Sequence, residues 1–299
     1  MEFVVAAPLE FSFDLCASFL KRSPRELLHR FENDRVRKLL HLKDRPVLIE
    51  LCESKDLSPA QRGITIRALN TTINTEERAQ LEKYVREWFD LDTDLKPFYE
   101  KVSADKLLGE LVTKFHGYRI VGQPDLFESL VWAVLGQQIN LAFAYTLKQR
   151  FVEQFGTSYE FEGQHYYAFP GPEVVAQLTD AELLPLQFSR QKSKYTVEIG
   201  KAFAEKVITQ EALSSMPLEA ARDTLMQIKG VGNWTANYAL MKTFRYKDAF
   251  PAEDVGIHNS IRLLKKSKRK PTVEEVRKLF KKYKGWEAYA TLYLWKSLP

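Results

Sequence analysis

The 299-residue chain is poor in cysteine and lacks long apolar runs. Its two cysteines, Cys16 and Cys52, are too few to ligate an iron–sulfur cluster, and no cysteine or histidine group has zinc-site spacing. A disulfide framework is equally excluded. No apolar run of about 18 residues indicates a membrane span, and the first residues, with Glu2, Glu10 and Asp14, do not resemble a signal or transit peptide. We therefore expect a cytoplasmic protein with no membrane partner.

Charge is nearly balanced overall but is unevenly distributed. Lysine and arginine number 44, against 39 acidic residues, a net charge of +5. Residues 1–100 carry 16 basic and 18 acidic groups, which leaves 28 and 21 for residues 101–299, a net of +7. The segment Arg262–Lys284 is the most basic, especially at Lys265–Lys270. Such a run is usually a solvated face, and it is also a candidate contact for a polyanion.

Length and pattern predict two domains, residues 1–98 and residues 99–299. Short β-rich runs lie at Phe3–Val5, Val47–Leu51 and Ile64–Leu69. An amphipathic helix is predicted over Glu76–Phe89, so the first domain is expected to be α+β.

Helical signals fill the second domain. Two apolar stripes run through Asp125–Phe155, with Gly136 between them, and capping boxes begin at Thr179 and Thr272. We find no convincing strand after residue 124, so this domain is expected to be all helical.

The most specific segment is Leu225–Tyr238. Gly230-Val231-Gly232 separates an apolar helix end from a helix that begins near Asn233. Two glycines permit a tight turn with positive φ, and the amides of such a turn can hold a phosphate without reading a base. An ordinary helical hairpin that uses glycine is the alternative.

Two further segments carry a family resemblance. One is Asp248-Ala-Phe-Pro-Ala-Glu-Asp-Val-Gly-Ile257, and the other is Phe127-Glu-Ser-Leu-Val-Trp-Ala-Val-Leu-Gly-Gln-Gln-Ile139. With the hairpin, they resemble the helix-hairpin-helix DNA glycosylase superfamily over about residues 117–299. The terminal Tyr289–Trp295 is similar to the 3-methyladenine DNA glycosylase II (AlkA-like) branch, whereas over residues 1–95 the resemblance rests on size, position and mixed α/β character.

The resemblance implies a mainly α fold with an N-terminal α+β domain. Two helical lobes would enclose a cleft, and the helix-hairpin-helix would lie at about 218–244. Members of the family flip a damaged nucleotide out of the duplex and cut its N-glycosidic bond. By the resemblance, Asp254 is the carboxylate that stabilises the positive charge developing on the sugar and can orient or deprotonate water. Helix capping is the alternative role for Asp254, and the neighbouring Glu253 is expected to be structural.

One position bears on the mechanism. Bifunctional relatives carry a nucleophilic lysine where this chain has Trp234, and an indole cannot form a Schiff base. The resemblance therefore implies a monofunctional glycosylase that releases free base and leaves an abasic site.

The resemblance also places aromatic side chains in a base pocket. Trp234, Tyr238 and Trp295 would offer electron-rich faces to an N-alkylated, cationic purine. Packing in the core is the alternative, and for Trp286, Tyr289 and Tyr293 it is the preferred reading.

DNA contacts follow from the same resemblance. The hairpin contributes Gly230, Val231, Gly232, Asn233 and Thr235. Gln138 is the candidate wedge that fills the space of the flipped base, with a capped helix break as the alternative. A structural Na⁺ or K⁺ would bind the backbone carbonyls of Met226, Ile228 and Val231, and no cofactor is required. His116 and His258 are assigned no role.

The expected function is excision of alkylated bases from double-stranded DNA in base excision repair. The substrates would be 3-methyladenine and 7-methylguanine, and the protein would act as a monomer in the cytoplasm, nucleoid-associated in a bacterium. A glycosylase for hypoxanthine, uracil or an oxidised purine, and a non-enzymatic lesion-binding protein, remain alternatives. The sequence leaves open the preferred base and the role of the N-terminal domain.

Overall fold

The computed structural model describes residues 2–42, 45–55, 58 and 61–298. Its first domain is built on a five-stranded antiparallel sheet of order β1-β5-β4-β3-β2. The strands are β1 (Glu2–Ala7), β2 (Arg30–Glu32), β3 (Arg35–Leu42), β4 (Arg45–Glu53) and β5 (Arg62–Ala68). The three predicted β-rich runs are confirmed as β1, β4 and β5. The pattern missed β2 and β3, which lie in a segment dense in arginine and lysine.

Two helices accompany the sheet, α1 (Phe13–Leu20) and α2 (Thr75–Trp88). The predicted amphipathic helix is confirmed as α2, which begins at a capping box between Asn74 and Glu77. It packs against β1. The predicted domain boundary after residue 98 falls within the next helix, α3 (Lys96–Val102).

The rest of the chain is largely helical. Its helices are α4 (Gly109–Lys114), α5 (Leu126–Gly136), α6 (Leu141–Phe155), α7 (Pro172–Val175), α8 (Asp180–Leu183), α9 (Arg190–Ala204), α10 (Gln210–Ser214), α11 (Leu218–Leu225), α12 (Asn233–Phe244), α13 (Val255–Leu264), α14 (Val273–Phe280) and α15 (Glu287–Lys296). Capping boxes at Thr179 and Thr272 open α8 and α14, as predicted. Within the described residues, no helix is long and apolar enough to span a membrane.

These helices pack in two groups. We call α5, α6, α9 and α12 the central lobe, because α5 contacts the other three. We call α4, α13 and α15 the terminal lobe, because α15 contacts α4 and α13. One continuous core joins the sheet to both lobes through buried residues such as Ile49, Leu81, Val134 and Tyr293. The predicted fold, mainly α with an N-terminal α+β domain, is confirmed.

The expectation of no strand after residue 124 was wrong. A hairpin of β6 (Thr157–Phe161) and β7 (Gln164–Ala168) follows α6 and packs against β3. Its two turn residues, Glu162 and Gly163, both have positive φ (51° and 72°). This geometry matches the two-residue turns that join twisted antiparallel strands. The Glu-Gly pair between β-prone runs was the signal that the helical interpretation overlooked.

Candidate active site

The glycine turn joins α11 to α12, as the sequence predicts. Gly230 has φ +97°, and a Cβ there would lie 2.2 Å from the Cγ atom of Tyr195, so only glycine fits. Gly232 differs from the expectation of two positive-φ glycines, because it has extended backbone with φ −92°. It is the N-cap residue of α12, and a Cβ there would meet open space.

The N-terminus of α12 presents backbone amides without a side-chain cap from Gly232. The two polar side chains of this turn are bonded within the protein. Asn233 donates from Nδ2 to the Glu253 carboxylate at 3.0 Å. Thr235 is only 2% exposed, and its hydroxyl oxygen accepts a hydrogen bond from Gln137 at 3.0 Å. A phosphate at this turn would therefore be bound by the main chain, and the Thr235 side chain cannot be a direct DNA contact in this conformation.

Asp254 caps α13 and lies between the two lobes. Its Oδ1 atom accepts hydrogen bonds from the Ile257 amide at 3.0 Å and from Nε1 of Trp295 at 2.8 Å. Its Oδ2 atom accepts one from Nε1 of Trp234 at 2.9 Å. Trp234 belongs to the central lobe and Trp295 to the terminal lobe. The carboxylate is thus oriented by one donor from each lobe and by its own helix, so capping and a catalytic role are compatible.

A glycine makes this arrangement possible. A Cβ at Gly256 would lie 2.8 Å from Oδ1 of Asp254 and 2.9 Å from Nε1 of Trp295. Any side chain at this position in the first turn of α13 would therefore displace the indole or the carboxylate.

Aromatic rings extend away from Asp254 in a continuous wall. Trp234 stacks on Tyr238 with ring centroids 5.4 Å apart, and Tyr238 lies 6.2 Å from the ring of Trp295. The Tyr238 hydroxyl accepts a hydrogen bond from Nε1 of Trp132 at 3.0 Å, and Trp132 packs on Tyr145 at 4.8 Å. Burial raises the pKa of Tyr238, so its hydroxyl stays neutral at physiological pH. The three residues assigned to a base pocket by sequence are brought together.

The N-terminal domain reaches the same wall through Arg22. Its Nε atom donates to the Tyr145 hydroxyl, and its guanidinium lies 3.9 Å from the Phe19 ring centroid. Behind Tyr238 a cavity of about 40 Å³ lies between the domains, lined among others by Arg22, Tyr145 and Tyr238. That volume suits about two or three waters and is too small for a purine.

Residues near Asp254 fix the loop that carries it. Glu253 pairs with Arg277 at 2.7 Å and accepts from Asn233, so it serves as an anchor. His258 has its two ring nitrogens 2.8 Å from the Pro271 carbonyl oxygen and 2.9 Å from that of Ala252. Both residues hold the approach to α13 in place.

Gln138 lies in the turn between α5 and α6. It is exposed and has φ +58°, an uncommon conformation for a residue with a side chain. The preceding Gln137 donates from Nε2 to the Gly230 carbonyl at 3.1 Å as well as to Thr235. The candidate wedge is therefore held beside the hairpin.

The predicted cation ligands lie where α11 runs into the turn. Met226 is the C-cap residue of α11, and the Ile228 carbonyl accepts a hydrogen bond from the Val231 amide at 3.0 Å. Each carbonyl oxygen has two lone pairs, so Ile228 keeps one for a second partner. Among the described residues, no cluster of histidine, cysteine or carboxylate side chains suits a metal ion.

Sequence reasoning missed five residues around the site: Arg22, Trp132, Gln137, Tyr145 and Gly256. A usable signal existed only for Gly256, because glycine in the first turn of a helix marks a close approach. The others are joined to the site by contacts between distant segments, such as the 106 residues that separate Trp132 from Tyr238.

Two family models match the chain. The family model for the HhH-GPD superfamily base excision DNA repair proteins matches residues 131–285. The model for the N-terminal domain of 8-oxoguanine DNA glycosylase matches residues 29–130.

Individual relatives cover the whole chain or its larger part. The chain is 40% identical over 297 residues to the DNA-3-methyladenine glycosylase of Bacillus subtilis (strain 168), covering 99% of this chain and 96% of the relative. It is 28% identical over 188 residues to DNA-3-methyladenine glycosylase 2 of Escherichia coli (strain K12), covering 63% of each. Among solved structures, the 3-methyladenine DNA glycosylase from Archaeoglobus fulgidus has the same fold, with a TM-score of 0.83, 23% identity, and coverage of 98% and 97%. The chain therefore belongs to the HhH-GPD superfamily of base excision DNA repair proteins and is a DNA glycosylase.

Proposed function

We propose that the protein is a monofunctional glycosylase that excises alkylated purines, 3-methyladenine and 7-methylguanine, from duplex DNA. The observation that carries the proposal is the Asp254 carboxylate, oriented by two indole N–H groups at the end of an aromatic wall. The Bacillus subtilis relative, named DNA-3-methyladenine glycosylase and 40% identical over nearly the full chain, supports the same substrate class.

The carboxylate acts on the sugar. As the N-glycosidic bond breaks, positive charge develops on the deoxyribose ring, and Asp254 stabilises it from a fixed position. Its three N–H donors prevent it from rotating away or being displaced. Asp254 also orients the attacking water and accepts its proton, so the products are free base and an abasic site.

The aromatic wall selects the base. Trp234, Tyr238 and Trp295 offer π-faces that attract the positive charge of an N-alkylated purine. The same charge makes the base a good leaving group, so a strong acid acting on the base is unnecessary. Selection by stacking and lability would admit several alkylated bases.

Two buried lysines of the central lobe, Lys192 and Lys242, are poorly placed for a lyase step. Trp234 stands where a lyase would need its amine. The buried Lys242, on the same helix, donates to the Val121 carbonyl, and burial lowers its pKa well below the usual value. Lys192 is likewise committed to backbone carbonyls. A Schiff base with the sugar is therefore not part of the proposed reaction.

Duplex binding uses the backbone at Gly230–Asn233, and Gln138 fills the space that the flipped base leaves. The Lys265–Lys270 segment is exposed, although Arg269 within it pairs with Glu275 at 2.7 Å. Contacts from its lysines to phosphates would strengthen binding at low salt without selecting sequence. The Na⁺ or K⁺ proposed at the carbonyls of Met226, Ile228 and Val231 would help hold a phosphate, and bond cleavage requires no cofactor. We expect a cytoplasmic monomer.

One observation favours a second candidate. The match of residues 29–130 to the N-terminal domain of 8-oxoguanine DNA glycosylase points to an oxidised purine as substrate. The 40% identity to a DNA-3-methyladenine glycosylase over nearly the full chain makes it the weaker proposal.

Base release separates the candidates. Methylated duplex DNA is incubated with the wild type and Asp254→Asn, and released bases are resolved by chromatography. We expect free 3-methyladenine and 7-methylguanine with the wild type only, strand cuts only after alkali, and no borohydride trapping. Duplexes with 8-oxoguanine, hypoxanthine or uracil run in parallel. Release of 8-oxoguanine alone would favour the second candidate, and binding without any release would make the protein a lesion-binding module.

A further inference from the structure

The last turn of α5 is held by a buried lysine from α9. Lys192 is 8% exposed, and its Nζ atom donates to the carbonyls of Val134 at 2.9 Å, Leu135 at 2.9 Å and Gln137 at 2.6 Å. An ammonium group has three N–H bonds, so every donor is used. Burial lowers the pKa of Lys192 to about 8, and in the described part of the chain it forms no ion pair. The cost of burying the Lys192 ammonium is thus offset by its hydrogen bonds to the carbonyls at the C-terminus of α5, the negative end of the helix dipole.

Gln137, which carries one of these three carbonyls, is also held by its side chain. The Gln137 carbonyl accepts a hydrogen bond from Lys192. Its side-chain amide donates to the Gly230 carbonyl and to the Thr235 hydroxyl. It thereby joins the end of α5 to the hairpin. Helix α9 contacts both the end of α5 and the hairpin. Lys192 binds the end of α5, and Tyr195, three residues later, packs against Gly230 of the hairpin.

Gln138 follows immediately, with φ +58°. A residue with a side chain keeps this conformation only where the surroundings impose it. Asn140 then caps α6 by accepting the Phe143 amide at 2.9 Å, so the turn is also anchored on its far side. The exposed side chain of Gln138 therefore projects from a backbone that is held on both sides.

We propose that Lys192 and Gln137 are positioning residues that hold the Gln138 turn rigidly against the hairpin, so that binding of the duplex backbone also inserts Gln138 into the base stack. The proposal rests on the proposed function, in which Gln138 is the wedge. Neither residue touches the scissile bond. Their contribution is to insertion and flipping, and DNA affinity comes from the hairpin.

The test separates flipping from binding and from chemistry. Lys192→Met removes the three donors at similar length, Lys192→Arg retains a cationic donor, and Lys201→Met on the exposed end of α9 is the matched control. The duplex carries a non-cleavable 2′-fluorinated 7-methylguanosine beside 2-aminopurine, whose fluorescence rises when the stack opens. Affinity is measured by anisotropy on the same duplex, and single-turnover base release is measured on methylated DNA.

We expect Lys192→Met to lower the fluorescence rise and the release rate by roughly tenfold, with dissociation constants within about threefold of the wild type. Lys192→Arg should recover most of both signals, and Lys201→Met should match the wild type. A double-mutant cycle completes the test. In a Gln138→Ala background, Lys192→Met should change the flipping signal little, because the wedge it positions is gone.

Additive effects of Lys192→Met and Gln138→Ala, or an unchanged fluorescence rise in folded Lys192→Met, would overturn the proposal. If Lys192→Met fails to fold, Gln137→Leu cuts the other connection and must give the same pattern. Failure of the proposed function looks different. The wild type would then release no base from methylated DNA, whereas a wild-type fluorescence rise that Lys192→Met leaves intact would remove only the positioning role.

Discussion

Asp254 and Asp90 both receive hydrogen bonds from aromatic side chains, and they lie in opposite surroundings. Asp254 accepts from Trp234 and Trp295 and is partly exposed between the lobes. Asp90 accepts from the Tyr289 hydroxyl on one oxygen and from Thr93 at 2.7 Å on the other, and is only 3% exposed. Similar hydrogen-bonding partners therefore hold two carboxylates that differ in their exposure to solvent.

The Asp90 cluster joins the N-terminal domain to the terminal lobe. Arg119 is fully buried and donates to the backbone carbonyls of Asp90 at 2.7 Å and Glu10 at 2.9 Å. Burial raises the pKa of Asp90, against the opposing effect of Arg119. The polar atoms of Asp90 and Arg119 thus form hydrogen bonds with other parts of the chain, away from solvent. At Asp254, by contrast, the bonds hold a partly exposed carboxylate at the edge of the aromatic wall.

The largest expected effect is the loss of base release when the partly exposed Asp254 is changed. Asp254→Asn keeps an N-cap side chain but places an amide N–H against one indole N–H, so the sugar loses its stabilising charge. We expect single-turnover base release to fall by at least about 10³-fold. The free energy of unfolding in urea should change by less than about 1 kcal/mol, since asparagine caps helices about as well as aspartate does. Release within about tenfold of the wild type would place the catalytic carboxylate elsewhere.

Asp90→Asn should show the reverse pattern. It removes a negative charge beside buried Arg119 and replaces an acceptor of the Tyr289 hydroxyl. We expect the free energy of unfolding in urea to fall by about 3 kcal/mol, because the amide nitrogen replaces an oxygen that accepts a hydrogen bond from a buried hydroxyl, and that hydrogen bond is left unmade. Base release per folded molecule at low temperature should stay within about twofold. A rate loss without a stability loss would mean that the junction takes part in the reaction.

Acid should weaken the contact between the N-terminal domain and α6, where Glu26 pairs with Lys148. Glu26 is buried and pairs with Lys148 of α6 at 3.0 Å. Burial alone would raise its pKa, but Lys148 and His29 outweigh that effect and lower it from 4.5 to about 2. Because the folded-state pKa is the lower one, the stabilisation is complete above about pH 4.5 and is lost as pH falls towards 2.

The shift corresponds to up to about 3 kcal/mol over that window. Urea unfolding of the wild type at several pH values should show this loss, and Glu26→Gln should be less stable at pH 7 and less sensitive to acid. Equal acid sensitivity in both proteins would assign the effect to other groups that take up protons as pH falls, such as other carboxylates or His29, whose pKa burial lowers from 6.5.

The same contrast explains how much could be read from the sequence. The hairpin could be predicted from a local pattern, because a tight turn needs Gly230. The candidate roles of Asp254 and of the three aromatic residues came from the family resemblance, since locally an aspartate at a helix start predicts only a cap. The prediction that Tyr289 and Tyr293 pack in the core is confirmed, since both are fully buried.

The remainder depends on contacts between distant segments. No local pattern indicates that Lys192 faces the end of α5, about 55 residues earlier, or that Arg22 reaches Tyr145 across 123 residues. These pairs exist only once α9 and the N-terminal domain have packed on α5 and α6. The β6–β7 hairpin differs, because a local turn signal, Glu162-Gly163, is present in its sequence.

The smallest expected effect separates two tryptophans near the C-terminus. Trp295→Phe keeps an aromatic face beside Tyr238 but removes the donor to Oδ1 of Asp254, which still accepts from Ile257. We expect release to slow roughly tenfold, since a hydrogen bond to a charged group contributes about 1.5 kcal/mol. Trp286→Phe is the matched control, because Trp286 packs on Phe98 at 5.6 Å and touches neither Asp254 nor the wall. It should lower stability slightly and leave the rate unchanged. Equal rates for both variants would mean that the backbone amide and Trp234 alone position the carboxylate, and that Trp295 contributes only its ring.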